Sequence, residues 1–508
     1  AAGHQTIYLA GFPSSFYHFA SYAAAAALAG MLDQPGLPLA TAAWMPLGFL
    51  AMSTGAYALG ERLAGAAGGI ASLAAIVILP DASNYGLRNG LFSFHWTVLA
   101  TPGATYALGA AFLSLTLLDR WSIERSAGAL AASLLIAASI VLFRAHIFLL
   151  FLPAWFATAA LCSVPPGIGK GRIVVWLMTA LLATAIAGSL TLAHLASTNP
   201  GVWRFAGGAA LQIFLNGVHT GQEPTAYTGI YADLASRTPP LFSLTAGIVL
   251  AFVAALGAFL VLLPAALALA GRRGALRPVD AFPGLLAFCW LLLMLFAPIP
   301  WHGEPTDLIH RPFVLLYSAA AVWTLCLVLR CLAARGGQVA SRLWRTVLAG
   351  ALLGLPAIVS SADGMARPKF RWGEKDAAPR VEPGLLAAAA FLREHAASGD
   401  IFAAAGLNGA YETFDFSTKL CALSGMPAYL ARPHMEMIKD AERKAIAGAR
   451  LVALNQVDRE TSYEAAMESL RGLNVKWYVV AEGHAPAWHS KDARATFSAG
   501  EIAVYATR

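Results

Sequence analysis

Apolar runs such as "AWMPLGFLAMSTGAYALG", "IVVWLMTALLATAIAGSLTLAHLA", "GLLAFCWLLLMLF" and "FVLLYSAAAVWTLCLVL" recur through residues 1–362 and then stop. No other feature limits the fold as strongly. A membrane's hydrocarbon core takes about 20 apolar residues to cross, and a backbone placed there has to satisfy its own hydrogen bonds, which favours helices. Runs of this kind fall near 40–60, 64–80, 97–118, 127–143, 147–163, 173–194, 241–270, 281–297, 313–332 and 346–362. The expectation is an α-helical polytopic membrane protein of about ten spans. Residues 363–508 read instead as a C-terminal extracytoplasmic α/β domain.

Charge supports the same division. Only 12% of the 508 residues are charged and 58% are hydrophobic, against about 25% charged in a soluble domain. Residues 363–508 hold 18 Lys/Arg and 18 Asp/Glu, so the net +7 belongs to residues 1–362, with 17 basic and 10 acidic side chains. A basic surplus on one side is what the positive-inside rule places next to the cytoplasm; nucleic acid is not indicated as a partner. Alternating sides gives twelve basic residues to one set of connectors: Arg62, Arg120, Arg125, Lys170, Arg172, Arg272, Arg273, Arg277, Arg330, Arg335, Arg342 and Arg345. Arg88, Arg144, Arg204, Arg237 and Arg311 make up the other set of five. The first set is assigned to the cytoplasm, which puts the N-terminus, the outer loops 81–96, 195–240 and 298–312, and the C-terminal domain outside. Ala richness and Arg in place of Lys fit a GC-rich bacterium, so the expected location is the bacterial cytoplasmic (inner) membrane, with a periplasmic C-terminal domain.

Four of the five Cys (Cys162, Cys289, Cys326, Cys331) lie in or at the ends of spans, and Cys421 stands alone in the terminal domain. They leave the redox compartment open and show no metal-type spacing. Before the first run, "SSFYHFASYAAAAALAGMLD" predicts a helix over about 14–33 at the membrane surface, with His18 and Tyr22 four residues apart on one face. In the terminal domain, "DIFAAAG", "VKWYVVAE" and "EIAVYAT" read as strands. The stretches "EPGLLAAAAFLREHAASGD", "MEMIKDAERKAIAGA" and "ETSYEAAMESLRGL" read as helices between them. The domain carries neither a glycine-rich nucleotide fingerprint nor catalytic-triad spacing.

Ionisable residues at a membrane boundary are functional candidates, because placing them there is costly. "PIPWHGEPTDLIHRPF" brings His302, Glu304, Asp307, His310 and Arg311 together at the mouth of a span. The planar five-donor fork of Arg311 suits a phosphate at headgroup depth; a plain interfacial anchor with Trp301 in the aromatic belt accounts for the loop equally well. "LPDASNYGLRNGLFSFHW" supplies Asp81, Asn84, Tyr85, Arg88 and His95, the carboxylate, amides and aromatics of a sugar site, or simply a helix end with turn residues. "FRAH" adds Arg144 and His146, and "NGVHTGQEPTAYTG" adds His219 and Glu223.

The order of these pieces resembles the C-type (GT-C) superfamily of polytopic membrane glycosyltransferases, in particular uncharacterised bacterial members with a C-terminal soluble domain. The resemblance rests on the surface helix "YHFASYAAAAALAG", on "AYALGERLAGAAGGIASLAAIVILPDAS", on the late outer loop ending "IHRPFVLLYSAA" and on a terminal domain closing "VKWYVVAE…EIAVYATR". It implies a hexosyl or pentosyl transfer from a polyprenyl-phosphate sugar donor to a glycan, lipid or protein acceptor on the outer face of the membrane. In that chemistry a carboxylate takes the acceptor proton, and basic residues stabilise the leaving phosphate. Arg311 matches the family's late-loop basic position, with His310 and Arg144 as further phosphate-binding candidates. Asp81 falls where some members carry a second-loop acid. His18, Tyr22, Asn84, Tyr85, Arg88, His95, His302, Glu304, Asp307, His219 and Glu223 are the sugar- and acceptor-binding candidates. No cofactor is named by the sequence, and a divalent metal ion is the one held open. Family members open with a span and an outer loop bearing the main catalytic acid, whereas this chain opens almost at the surface helix, so the main base is expected upstream of residue 1. The alternative is a non-catalytic transporter, flippase or scaffold for lipid-linked glycans.

Overall fold

The computed structural model describes residues 6–12, 20–32, 36–77, 94, 97–98, 101–164, 170–198, 203–204, 208–217, 226–300, 306–333, 381–408, 416–437, 441–481, 483–489 and 495–507. They form two compact units, a helical one within Met45–Trp372 and an α/β one that combines Ala1–Trp44 with Gly373–Arg508.

In the helical unit, Met45–Val77 is one run of helix interrupted at Ala64 and Gly65, where φ turns to −143° and +74°. Residues eight apart on a straight helix are separated by about 12 Å. Here a Cβ on Gly60 would lie 2.4 Å from the Gly68 carbonyl oxygen and 2.2 Å from Ser72 Oγ. The run therefore folds back at Gly65, and glycine is needed at positions 60 and 68 for the two arms to touch. The first arm packs on Pro102–Glu124 in the same backbone-close way, since a Cβ on Gly55 would meet the Gly109 carbonyl at 2.8 Å. Ala127–Phe143 and Ala145–Ser163 form a second hairpin. Ser133 and Trp155, each eleven residues from Arg144, are hydrogen-bonded at 3.1 Å, and Ser133 also exchanges hydroxyl-to-carbonyl bonds with Ser114. Such small polar groups hold apolar helices in register. Phe313–Ala333 is buried without interruption from Phe313 to Leu327, which explains why that segment is apolar on every face.

The expectation of ten spans is corrected here. Among the described residues, four helices are long and apolar enough to cross a membrane: Ala145–Ser163, Gly171–Gly188, Pro278–Phe296 and Asp307–Ala333. A fifth counts if Pro240–Leu256 and Phe259–Arg272, bent by 85°, are taken as one broken span. The other expected segments fall short for identifiable reasons. Ala127–Phe143 has only 17 residues, Met45–Val77 is broken at Ala64 and Gly65 and carries Glu61 and Arg62, and Pro102–Glu124 carries Asp119, Arg120 and Glu124. Segment 346–362 lies outside the described residues.

The α/β unit carries a four-stranded sheet in the order β3-β4-β6-β5, built from β3 (Phe402–Ala404), β4 (Trp477–Ala481), β5 (Phe497–Ala499) and β6 (Ile502–Ala506). β3 and β4 are parallel; β6 runs antiparallel to β4 and β5. Alternation along the strands divides the core in two. Ala403, Tyr478, Val480, Ala503 and Tyr505 pack with Ala441–Asp458 and Tyr463–Gly472. Phe402, Trp477, Val479, Ile502 and Val504 pack with Pro383–His395 and Phe416–Ser424. The N-terminal segment 6–12 belongs to this core as well. Leu9 is fully buried, Ala428 N donates to the Ile7 carbonyl at 2.8 Å, Ala10 N donates to the Ala428 carbonyl at 2.9 Å, and Ala431 N donates to the Tyr8 carbonyl at 2.8 Å. Arg450 Nη1 donates to the Ala10 carbonyl at 2.8 Å, while Arg443 lies over the Phe12 ring at 4.7 Å. Ala20–Leu32 is the described part of the expected surface helix; its Met31 and Leu32 are 82% and 53% exposed.

Candidate functional site

Two connectors that are distant in sequence meet at one end of the helical unit. The first is the single residue Arg144 between the hairpin helices, extended at φ −156° and 4% exposed, with His146 the second residue of the next helix. The second follows Phe282–Phe296 and runs through β2 (Ile299–Pro300) and the short helix Asp307–His310 to Arg311. It is held from two sides. β1 (Trp203–Arg204) pairs antiparallel with β2, and Gly208 N donates to the Leu295 carbonyl at 2.8 Å, so part of the long 195–240 connector is stitched alongside. From below, the buried Trp290 donates its Nε1 hydrogen to the Ile309 carbonyl at 2.9 Å.

Asp307 is the centre of the cluster. Arg311 Nε donates to its Oδ1 at 2.5 Å, a pairing that the four-residue spacing permits across one helical turn. His310 Nε2 lies 3.6 Å from the same oxygen and His146 Nε2 3.9 Å from Oδ2. His310 Nδ1 is held by the hydroxyl and carbonyl oxygens of Thr306, each at 3.0 Å, and the charges of Arg311 and Arg144 both act on its ring. Asp307 and Arg311 remain 23% and 21% exposed, so a ligand can reach them. Two guanidiniums stand against one carboxylate. The surplus suits an anion, and the planar forks suit phosphate oxygens. A divalent metal fits these residues poorly, because Arg311 occupies Asp307 Oδ1 and adds positive charge. Among the described residues no group of three or more His, Cys, Asp or Glu side chains is arranged to hold a metal ion.

No family model matches the chain, and no curated protein matches it. Solved structures do. The archaeal oligosaccharyltransferase AglB from Archaeoglobus fulgidus, in complex with an inhibitory peptide and a dolichol-phosphate, is similar over 94% of this chain and 62% of its own, at 11% identity and a TM-score of 0.42. The oligosaccharyltransferase of the same organism, in complex with Zn and sulfate, covers 94% and 60% at 14% identity and a TM-score of 0.40. The mycobacterial arabinofuranosyltransferase AftD covers 95% and 36% at 15% identity and a TM-score of 0.42. This chain thus spans less than two thirds of the length of each.

Of the candidates read from the sequence, the fold brings together Arg144, Asp307, His310 and Arg311, together with His146. Tyr22 lies on Ala20–Leu32, in the other compact unit, and is 41% exposed. His18, Asp81, Asn84, Tyr85, Arg88, His95, His219, Glu223, His302 and Glu304 lie outside the described residues. Sequence reasoning passed over Thr306 and Trp290. Thr306 had a weak signal, four residues before His310, whereas nothing local marks Trp290 as the anchor of a loop nineteen residues later.

Proposed function

We propose that the chain is a membrane glycosyltransferase of the C type, and that Arg144 and Arg311 bind the phosphate of a polyprenyl-phosphate-linked sugar donor. The convergence of Arg144 and His146 with Asp307, His310 and Arg311 at one end of the helical unit carries this reading. Lipid-phosphate leaving groups develop negative charge as the sugar departs, and preorganised guanidiniums stabilise it without reorganising. Asp307 holds the Arg311 side chain in place through Nε, while His310, braced by Thr306, stands beside it. The acceptor proton needs a carboxylate base, and Asp81 is the candidate. The charge asymmetry of the connectors supports an outer-face reaction in a bacterial inner membrane, with membrane lipids around the helices and a glycan, lipid or protein as acceptor.

Binding of a polyprenyl phosphate to the purified protein, read by native mass spectrometry, tests the assignment. Loss of one charge-assisted hydrogen bond costs about 1.5–3 kcal/mol. Arg311→Ala and Arg144→Ala should therefore each weaken binding by about tenfold to a hundredfold, and Arg311→Lys by less. Unchanged affinity in both alanine variants would dismiss the site. One observation favours a transporter instead: the 85° break between Pro240–Leu256 and Phe259–Arg272 is the kind of discontinuous helix that lipid and solute carriers use. A transporter would bind the same lipid phosphate and transfer no sugar.

A further inference from the structure

At the other end of the same helices is a second cluster of charges, which the glycosyltransferase reading does not use. Arg62 Nε donates to Asp119 Oδ2 at 2.9 Å, and Arg277 Nη1 lies 3.7 Å from the same oxygen and donates to the Arg62 carbonyl at 3.1 Å. Arg277 N donates to Asp280 Oδ2 at 2.7 Å, and Arg330 Nη2 pairs with that oxygen at 2.6 Å. Arg273 Nη1 donates to the Cys331 carbonyl at 2.5 Å. The fold-back after Arg62, the end of Pro102–Glu124, the start of Phe282–Phe296 and the end of Phe313–Ala333 are thereby tied together. All four basic residues belong to the connectors that charge alternation assigns to one side.

Asp119 is 0% exposed and Asp280 2%, and the Arg330 side chain is 10% exposed. In each aspartate only Oδ2 is engaged. Oδ1 of Asp119, Oδ1 of Asp280, and Nε and Nη1 of Arg330 are buried and have no hydrogen-bond partner in the protein among the described residues. An unmet buried donor or acceptor is destabilising, the more so for a charged group, so four in one cluster call for a common explanation. The guanidiniums of Arg62, Arg277 and Arg330, which face the aspartates, repel a cation from this place, and the two carboxylates repel an anion. The missing partner has to accept from Arg330 and donate to the aspartates. Water does both, and a buried water typically makes about three hydrogen bonds.

We infer that Asp119, Asp280 and Arg330 enclose an internal hydration site, in which ordered water accepts from Nε and Nη1 of Arg330 and donates to Oδ1 of the two aspartates. The completed cluster is a hydrated ionic lock at the helix ends. From Arg330 back to Phe313 the helix rises about 25 Å, so the lock fixes from a distance the axial position of the helix that begins beside Arg311. The neighbouring Phe282–Phe296, clamped through Asp280, carries Trp290 and with it the Ile309 anchor.

A structure of the whole protein in a lipid nanodisc, at a resolution that shows ordered solvent, tests the inference. Density is expected within about 3 Å of Arg330 Nε or Nη1 and of at least one aspartate Oδ1. Direct pairing of these atoms with no solvent density between them would overturn it. Radiolytic hydroxyl labelling of the same sample gives an independent reading, because water activated inside a protein marks side chains beside it. Cys326, 0% exposed and one turn before Arg330 on the same helix face, should label several-fold faster than Cys289, which is 5% exposed in Phe282–Phe296. Equal labelling rates would count against the hydration site.

Discussion

Leu9→Ala should loosen the C-terminal α/β core from the far end of the sequence. Leu9 is fully buried among Leu430, Leu454, Tyr478 and Trp488, between residues whose backbone is bonded to 428–431. Truncating a buried leucine costs about 2–5 kcal/mol, since the cavity only partly collapses. At 1.36 kcal/mol per tenfold change in an equilibrium, amides of β4 and β6 that exchange through unfolding of this unit should do so about thirtyfold to several thousandfold faster. Hydrogen exchange read by mass spectrometry on the intact protein measures this directly, with peptides from β4 and β6 as reporters. Ile7→Ala, at a side chain 37% exposed, should have a much smaller effect. If β4 and β6 exchange within about threefold of the wild type in Leu9→Ala, where a loss of 2 kcal/mol or more is expected, segment 6–12 is an ornament on the domain and not part of its core.

Other perturbations have equally definite outcomes. Gly60→Val should lower the thermal midpoint and the yield of folded protein, because its Cβ meets the Gly68 carbonyl; Gly171→Ala, with nothing within 4 Å, should leave both unchanged. Glu436→Ala breaks a buried pair with Arg443 (3.0 Å, 1% and 5% exposed) and should cost about 3–5 kcal/mol in denaturant unfolding of the α/β unit. Burial pushes the Asp458 carboxyl up, and the donors Tyr478 OH and Gly406 N–H only partly offset it. A carboxyl raised on folding destabilises the native state above its folded pKa, and that penalty disappears as pH falls to the unfolded value near 4. The stability of the wild type relative to Asp458→Asn should therefore improve as pH is lowered from 7 toward 4, as thermal melts across that range will show.

How much of this was legible in the sequence depended on the range of the interaction involved. Apolar runs located the helices, because a helix apolar on every face is shielded from water all round, by protein as at 313–327 or by lipid. They did not settle which helices cross a membrane: Gly60 and Gly68 let one run fold back on itself, and Gly257 (φ +51°) stands where another bends. The strands β3, β4 and β6 showed up through β-branched and aromatic residues. The short β5 did not, nor did segment 6–12, whose bonds to the domain run through the backbone and leave no periodic trace. At the candidate site, Arg311 and Asp307 could be paired from their spacing alone. The approach of Arg144 and His146 is set by the packing of two hairpins, which a single sequence does not encode locally. Of the twelve basic residues grouped by charge alternation, Arg62, Arg277 and Arg330 meet in one ionic cluster, and Arg273 binds the Cys331 carbonyl beside it.

The decisive measurement is sugar transfer by proteoliposomes that carry the protein, with a panel of polyprenyl-phosphate sugars as donors, for the wild type, Arg311→Ala and Asp81→Ala. Glycosyltransferase activity predicts transfer from at least one donor by the wild type and a loss of about tenfold or more in correctly inserted Arg311→Ala, from the missing phosphate contact. The Asp81 variant tests whether that carboxylate is the base. Wild-type liposomes that bind a lipid-phosphate sugar and move it across the bilayer, yet transfer nothing, would contradict the assignment and establish a carrier in its place.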